Sequence, residues 1–197
     1  MTRFIKVARG FTLIELMVTL TIGSLLMLVA IPSFTSFQRN AELTSAANKL
    51  MSSVNAARSE AMKQGTNAMV VPTDNGTNWN AGWIVFVYKF DATRATPYVY
   101  DAVAGDKIIQ TQDALAGYVN VTDTLGAAAP YIMYDASGYA KTKAGGFLAL
   151  TLNITRTDLT GAELLNQTRR IKIASTGRVR VCRPTSATDA NCLSTND

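Results

Sequence analysis

Apolar positions follow three patterns along this chain. Residues 11–38 hold a single charge, Glu15, in 28 residues, and residues 16–31 hold none. A helix crosses a bilayer in about 20 residues, so this stretch is long enough to span. Residues 39–64 contain no Gly or Pro, and Leu43, Ala47, Leu50, Val54, Ala57 and Ala61 recur at spacings of four and three. That period makes one apolar helix face, with Lys49, Ser52, Asn55, Ser59 and Lys63 largely off it. Gly65 is placed to stop the helix. A single helix over residues 11–64 would be about 80 Å long, with Gly23 and Pro32 as its expected bending points. Its first half is suited to lipid and its second half to packing on a domain.

After Gly65 the pattern changes to short β-type runs, at residues 68–71, 83–88, 107–110, 118–122, 131–134, 147–154, 170–173 and 178–181. Turn-forming residues fall at 74–76, 135–138, 145–146 and 175–177. The expected fold class is α+β: a long N-terminal helix, hydrophobic in its first half and amphipathic in its second, packed on an antiparallel β domain. Trp79 and Trp83 fit as core aromatics. The Ala/Thr/Asp-rich residues 91–106 read as a mobile loop.

Composition narrows the chemistry. The 197 residues suit one domain plus an anchor. There is no His, which removes the commonest general base and a common metal ligand. No Walker loop or G-x-S-x-G elbow is present. Carboxylates such as Asp74, Asp91, Asp101, Asp106, Asp113, Asp123, Asp135 and Asp158 fall singly. The chain is therefore expected to be no enzyme, with no cofactor and no metal. The formal charge is +5, but three of the cations are Arg3, Lys6 and Arg9. Without them 16 Lys and Arg face 14 Asp and Glu, a net +2, so an anionic partner must be argued from local clustering.

Those three cations precede Gly10-Phe11-Thr12-Leu13-Ile14-Glu15. A carboxylate costs about 2.5–3.5 kcal/mol at mid-bilayer on insertion scales, and less near the interface, so Glu15 asks for a functional explanation. An ordinary secretory signal would need small residues after the apolar run, and residues 30–34 (AIPSF) are a poor match. In a plain anchor, Glu15 would only favour the helix start through the macrodipole. The whole arrangement closely resembles the type IV prepilin signature. That resemblance implies a prepilin peptidase that cuts between Gly10 and Phe11 on the cytoplasmic side and methylates Phe11. It implies an assembly role for Glu15, meeting the N-terminal amine of a neighbouring subunit. The expected organisation is a leader at 1–10, a transmembrane and filament-core helix at 11–38, and a periplasmic pilin-like domain at 39–197. Basic residues before the apolar run favour a cytoplasmic N-terminus.

The rest of the chain resembles the GspH/FimT group of minor pilins and pseudopilins. The matching residues are 43–48 (LTSAAN), 57–61 (ARSEA), Trp79 with 82–86 (GWIVF), 134–138 (YDASG) and 176–182 (TGRVRVC). The resemblance implies a minor type IV pilin, a structural subunit of the pilus near its tip. It would sit in the inner membrane and then in the cell-surface filament, with other major and minor pilins as partners. The alternative is a minor pseudopilin of a type II secretion system. Export to an oxidising compartment favours a Cys182–Cys192 disulfide, contributing roughly 2–3 kcal/mol by the loop-entropy account, over two free thiols.

Residues 169–182 also alternate. Ile171, Ile173, Val179 and Val181 point one way; Arg170, Lys172, Arg178 and Arg180 point the other. The turn at residues 175–177 would fold them into a hairpin with four cations on one face, flanked by Arg169 and Arg183. Residues 164–188 hold six cations and no acid. Like charges opposed across strands are destabilising unless an anion offsets them. Double-stranded DNA is the obvious polyanion, and residues 177–180 resemble the GRxR motif implicated in DNA binding by FimT-type pilins during natural transformation. Two other readings stay open: a solvated edge whose charges discourage pairing, and electrostatic docking to a neighbouring pilin.

Overall fold

The computed structural model describes residues 10–74, 78–90, 98–126 and 130–195, with Val29 and Pro32 described by backbone alone. The leader cations Arg3, Lys6 and Arg9, the turn residues 75–76 and loop residues 91–97 lie outside the described residues. The chain divides into two compact units, residues 1–41 and 42–197.

Helix α1, Leu13–Gln64, begins in the first unit. Its start is capped locally: the Glu15 N–H donates to Thr12 Oγ1 at 3.3 Å, and the Thr12 hydroxyl donates to Glu15 Oε2 at 3.5 Å. This is the N-cap logic of a T-x-x-E sequence, with an acid in the first turn. The apolar side chains Leu13, Ile14, Met17, Leu20, Leu25 and Leu28 are all exposed. The hydroxyls of Thr19, Thr21, Ser24 and Thr35 donate to carbonyls three or four residues back, at 2.8–3.0 Å. Each is thereby satisfied within its own helix, as a segment in hydrocarbon requires. The helix runs through both Gly23 and Pro32.

In the second unit, all six residues of the expected apolar stripe are at most 1% exposed, from Leu43 to Ala61. Lys49, Ser52, Asn55, Ser59 and Lys63 lie on the open side. Helix α1 ends where expected: Gly65 takes φ +65°, and the Thr66 N–H donates to the Ala61 carbonyl at 3.2 Å. That six-to-one bond closes the last turn and needs the left-handed residue that glycine supplies.

Eight strands follow: β1 (Asn67–Pro72), β2 (Trp83–Tyr88), β3 (Lys107–Gln112), β4 (Val119–Asp123), β5 (Ile132–Tyr134), β6 (Leu150–Arg156), β7 (Arg169–Ile173) and β8 (Val179–Cys182). They form two four-stranded antiparallel sheets, ordered β3-β2-β1-β5 and β4-β6-β7-β8. Every strand run read from the sequence is present. The largest shift is at β6, where residues 147 and 148 instead bond across the turn to Lys141 and Ala140.

The first sheet is covered on both faces. On one, Trp83 donates its indole N–H to Ser53 of α1 at 2.9 Å. On the other, Tyr98 stacks on Tyr88 at 5.2 Å and Tyr100 meets Phe86 edge-on at 5.6 Å. Two-sided burial is why β1 and β2 read as continuous apolar runs without alternation. It also corrects part of the mobile-loop expectation. Residues 98–106 are held by those rings and by buried Asp106, which accepts from the backbone N–H groups of Lys89 and Asp101, both at 2.9 Å.

In the second sheet Leu150, Leu152, Ile154, Ile171 and Ile173 are buried in the core. Trp79 sits in a short 3₁₀ turn, Trp79–Ala81, and donates to Asp123 of β4 at 3.0 Å. Neighbouring Asn80 donates to Asn120 at 2.8 Å and accepts from the Val121 N–H at 2.7 Å, tying the two sheets together. Helix α2, Gly161–Gln167, has no counterpart in the sequence pattern; it has seven residues and buries none of them, so it leaves no apolar period.

Candidate functional site

The cationic hairpin is built as its alternation predicts. Ile171 pairs with Val181 and Ile173 with Val179, facing the core. Lys172 pairs with Arg180, and Arg170 with Cys182, on the outer face. The turn closes through the Gly177 N–H to the Ala174 carbonyl at 2.8 Å and the Ala174 N–H to the Arg178 carbonyl at 3.0 Å. Lys172, Ala174, Arg178 and Arg180 line one shallow depression.

The four cations share that face but differ in exposure. Arg170 is 8% exposed and Lys172 only 2%. The Cys182–Cys192 disulfide returns the C-terminal tail to β8, and the tail lies over the outer face of the sheet. Arg170 donates to Asn153 Oδ1 at 2.9 Å and to the Cys192 carbonyl. Thr151, opposite Lys172, donates to the Thr195 carbonyl at 2.9 Å. A buried cation needs such partners because desolvation is expensive; burial holds the Arg170 pKa below its ordinary range despite the nearby Asp189. Asp189 itself is held below the usual carboxylate range, chiefly by the Thr185 N–H and hydroxyl. Arg178 is exposed and Arg180 is half-exposed, donating to the Asn191 carbonyl at 2.6 Å. These two are the accessible members of the set. Of the flanking pair, Arg169 reaches Thr44 on α1 at 3.3 Å, and Arg183 is exposed.

The tip of the hairpin is docked, a feature invisible to motif reading. Arg58 of α1 donates through Nε to the Gly138 carbonyl at 3.0 Å and through a terminal nitrogen to the Thr176 carbonyl at 3.4 Å. The Tyr134 hydroxyl donates to the Gly177 carbonyl at 3.4 Å, and the Ala140 N–H donates to the Ser175 carbonyl at 3.2 Å. Burial pushes the Tyr134 pKa well above that of an ordinary phenol, so it is a neutral donor. Segments 57–61, 134–138 and 176–182, far apart in sequence, thus meet around one guanidinium.

At the other candidate site, Gly10 and Phe11 are exposed and Glu15 lies in the first turn of α1. Among the described residues, no group of three or more His, Cys, Asp or Glu is arranged to hold a metal.

The family profile described as Type II transport protein GspH matches residues 46–177, more than half of the chain. The chain belongs to this family. A second profile, the prokaryotic N-terminal methylation motif, matches residues 5–31. Among solved structures, the type IV minor pilin FimU of Pseudomonas aeruginosa is similar at 20% identity and a TM-score of 0.52, covering 76% of this chain and 98% of that one. The minor pseudopilin EpsH of the Vibrio cholerae type 2 secretion system is similar at 16% identity and a TM-score of 0.46, covering 74% and 99%. No curated protein matches. The FimU likeness is one of fold: a long N-terminal helix on antiparallel sheets. Assembly with other pilin or pseudopilin subunits goes with this GspH-family membership. The GspH match takes in Arg58, Gly138 and Gly177 and stops one residue before Arg178.

Proposed function

We propose that this GspH-family chain is a minor type IV pilin, cut after Gly10 and methylated on Phe11, held in the inner membrane through residues 11–38 and then built into the pilus. The observation that carries this reading is the start of α1: an exposed apolar helix with one carboxylate, Glu15, in its first turn. Thr12 gives Glu15 a capping partner, and a capping or macrodipole contribution is about 0.3–1 kcal/mol. That does not account for a carboxylate beside a membrane span, whereas an ion pair with the Phe11 amine of an adjoining subunit does. Glu15→Ala is expected to insert and fold normally but to fall at least about tenfold in sheared filament fractions, a loss of about 1.4 kcal/mol or more. Normal incorporation would show that apolar packing suffices.

The GspH profile supports a second reading, a type II secretion pseudopilin. Deletion separates the two: loss of surface filaments with secretion intact supports the pilus, and the reverse outcome supports the secretion system.

Double-stranded DNA is the proposed ligand of the hairpin, through Arg178 and Arg180, with Lys172 at the base of their depression and Arg170 behind the tail. Guanidinium–phosphate contacts are sequence-independent and salt-sensitive. Arg178→Gln with Arg180→Gln should lower the log–log salt slope of duplex binding by about two units, with folding unchanged. A gel shift of the detergent-solubilised chain across a salt series measures it. No wild-type shift supports the solvated edge; a normal shift with lost piliation in the double variant supports docking to a pilin.

A further inference from the structure

We propose that a recess at one end of the first sheet binds an organic carboxylate with a ring-sized apolar body. The recess has a volume of about 140 Å³, and its walls include Val71, Pro72, Ile84, Tyr98, Tyr131 and Lys143. An apolar cavity of about 150 Å³ accommodates benzene, so the space suits one ring or one side chain.

Its chemistry is set by Lys143. The backbone of this residue is pinned from both sides: its N–H donates to the Tyr131 hydroxyl at 3.1 Å, and its carbonyl accepts from the Tyr98 hydroxyl at 2.8 Å. The side chain returns over the same two rings, with Nζ 4.5 Å from the Tyr131 centroid and 5.6 Å from that of Tyr98. Among the described residues no carboxylate pairs with it. Lys141, two residues earlier, shows the contrast: it lies over Phe147 and also pairs with Asp135 at 3.7 Å. Burial holds the Lys143 pKa below the ordinary lysine range. The wall therefore carries a partly desolvated ammonium whose observed compensation is the faces of two tyrosines. A carboxylate entering the recess supplies the missing counter-charge, and its body replaces water against the apolar walls. A neutral ligand of the same shape gains only the second effect.

Binding to the solubilised chain does not depend on the DNA or pilus readings; only the assignment of the acid's source in filaments rests on the pilus reading. The source of the acid is either a free small molecule or a carboxylate of an adjoining subunit. The probe is 4-fluorobenzoate, with 4-fluorobenzamide as its neutral counterpart, titrated by ¹⁹F NMR into the detergent-solubilised full chain. The expected result is saturable benzoate binding with a Kd on the order of 1 mM and an at least about tenfold weaker amide. Lys143→Met should erase that preference while circular dichroism shows an unchanged fold. Bound carboxylate should also raise the Lys143 pKa, because it favours the charged form. Repeating the titration on sheared filaments separates the sources: retained binding indicates a free acid, and blocked binding indicates a subunit carboxylate in place. Absence of saturable binding to the solubilised chain, equal affinity for acid and amide, or an unaltered preference in Lys143→Met would overturn the proposal.

Discussion

Gly177→Ala should destabilise the domain by about 2–4 kcal/mol, lowering Tm by roughly 5–15 °C for a chain of this size. Two costs combine. Gly177 has φ +82°, where a side chain is strained. An added Cβ would also lie 1.9 Å from the Gly138 carbonyl oxygen and 3.0 Å from Arg58 Nε. The first neighbour is backbone, so the hairpin turn and the 135–138 turn must separate. That breaks the pair of hydrogen bonds through which Arg58 holds both. Gly145→Ala isolates the first cost: φ is +85° there, but nothing lies within 4 Å of the added carbon. It should cost only about 1–2 kcal/mol. Thermal unfolding of both variants in detergent, followed by near-ultraviolet circular dichroism, measures the difference. Equal losses would mean that the close approach to Gly138 is easily relieved.

The contrast between these two glycines bears on the meaning of the motif at residues 177–180. Its glycine serves the fold, letting the hairpin tip lie against α1 and the 135–138 turn. Its arginines serve the fold far less, since Arg178 is exposed and Arg180 is half-exposed, donating to the Asn191 carbonyl of the tail. Any DNA contact therefore falls to the arginines, and loss of function in a Gly177 variant would say little about DNA.

What could be read from residue order is what local period encodes. The stripe from Leu43 to Ala61, the Gly65 stop and the inward-facing Ile171, Ile173, Val179 and Val181 all follow from spacing alone. Trp83 was legible as a core residue from its apolar strand run; Trp79 is buried as well, but in the 3₁₀ turn Trp79–Ala81 rather than in a strand. The burial of Arg170 and Lys172 was not legible in the alternation, because it depends on where residues 183–195 travel. One signal was nevertheless present. A disulfide between the last strand and a cysteine ten residues later must bring the tail back onto that strand, and the outer face is where it can lie. The Arg58 cluster and the Lys143 recess carry no such signal. Each joins segments that are far apart in the chain: the first meets where α1, the 135–138 turn and the β7–β8 hairpin pack, the second at one end of the first sheet.

Gly10→Val is expected to abolish maturation completely while leaving the folded domain unchanged. Among the described residues nothing demands glycine at this position. Gly10 is exposed, is not among the left-handed glycines, and an added Cβ would have no neighbour within 4 Å. A residue that the fold does not require is explained by something outside the fold, and an enzyme that must approach the backbone is the natural candidate. The position of the cut follows as well. Phe11 would become the N-terminus, two residues before α1 begins, which leaves its amine near the first turn that holds Glu15. Intact-mass measurement of membrane-extracted protein should show wild-type chains beginning at Phe11 with one added methyl group, and Gly10→Val chains retaining residues 1–10. Wild-type chains beginning after Ala30 would make this an ordinary secretory signal, and normal cleavage of the valine variant would remove the case for a peptidase that reads Gly10.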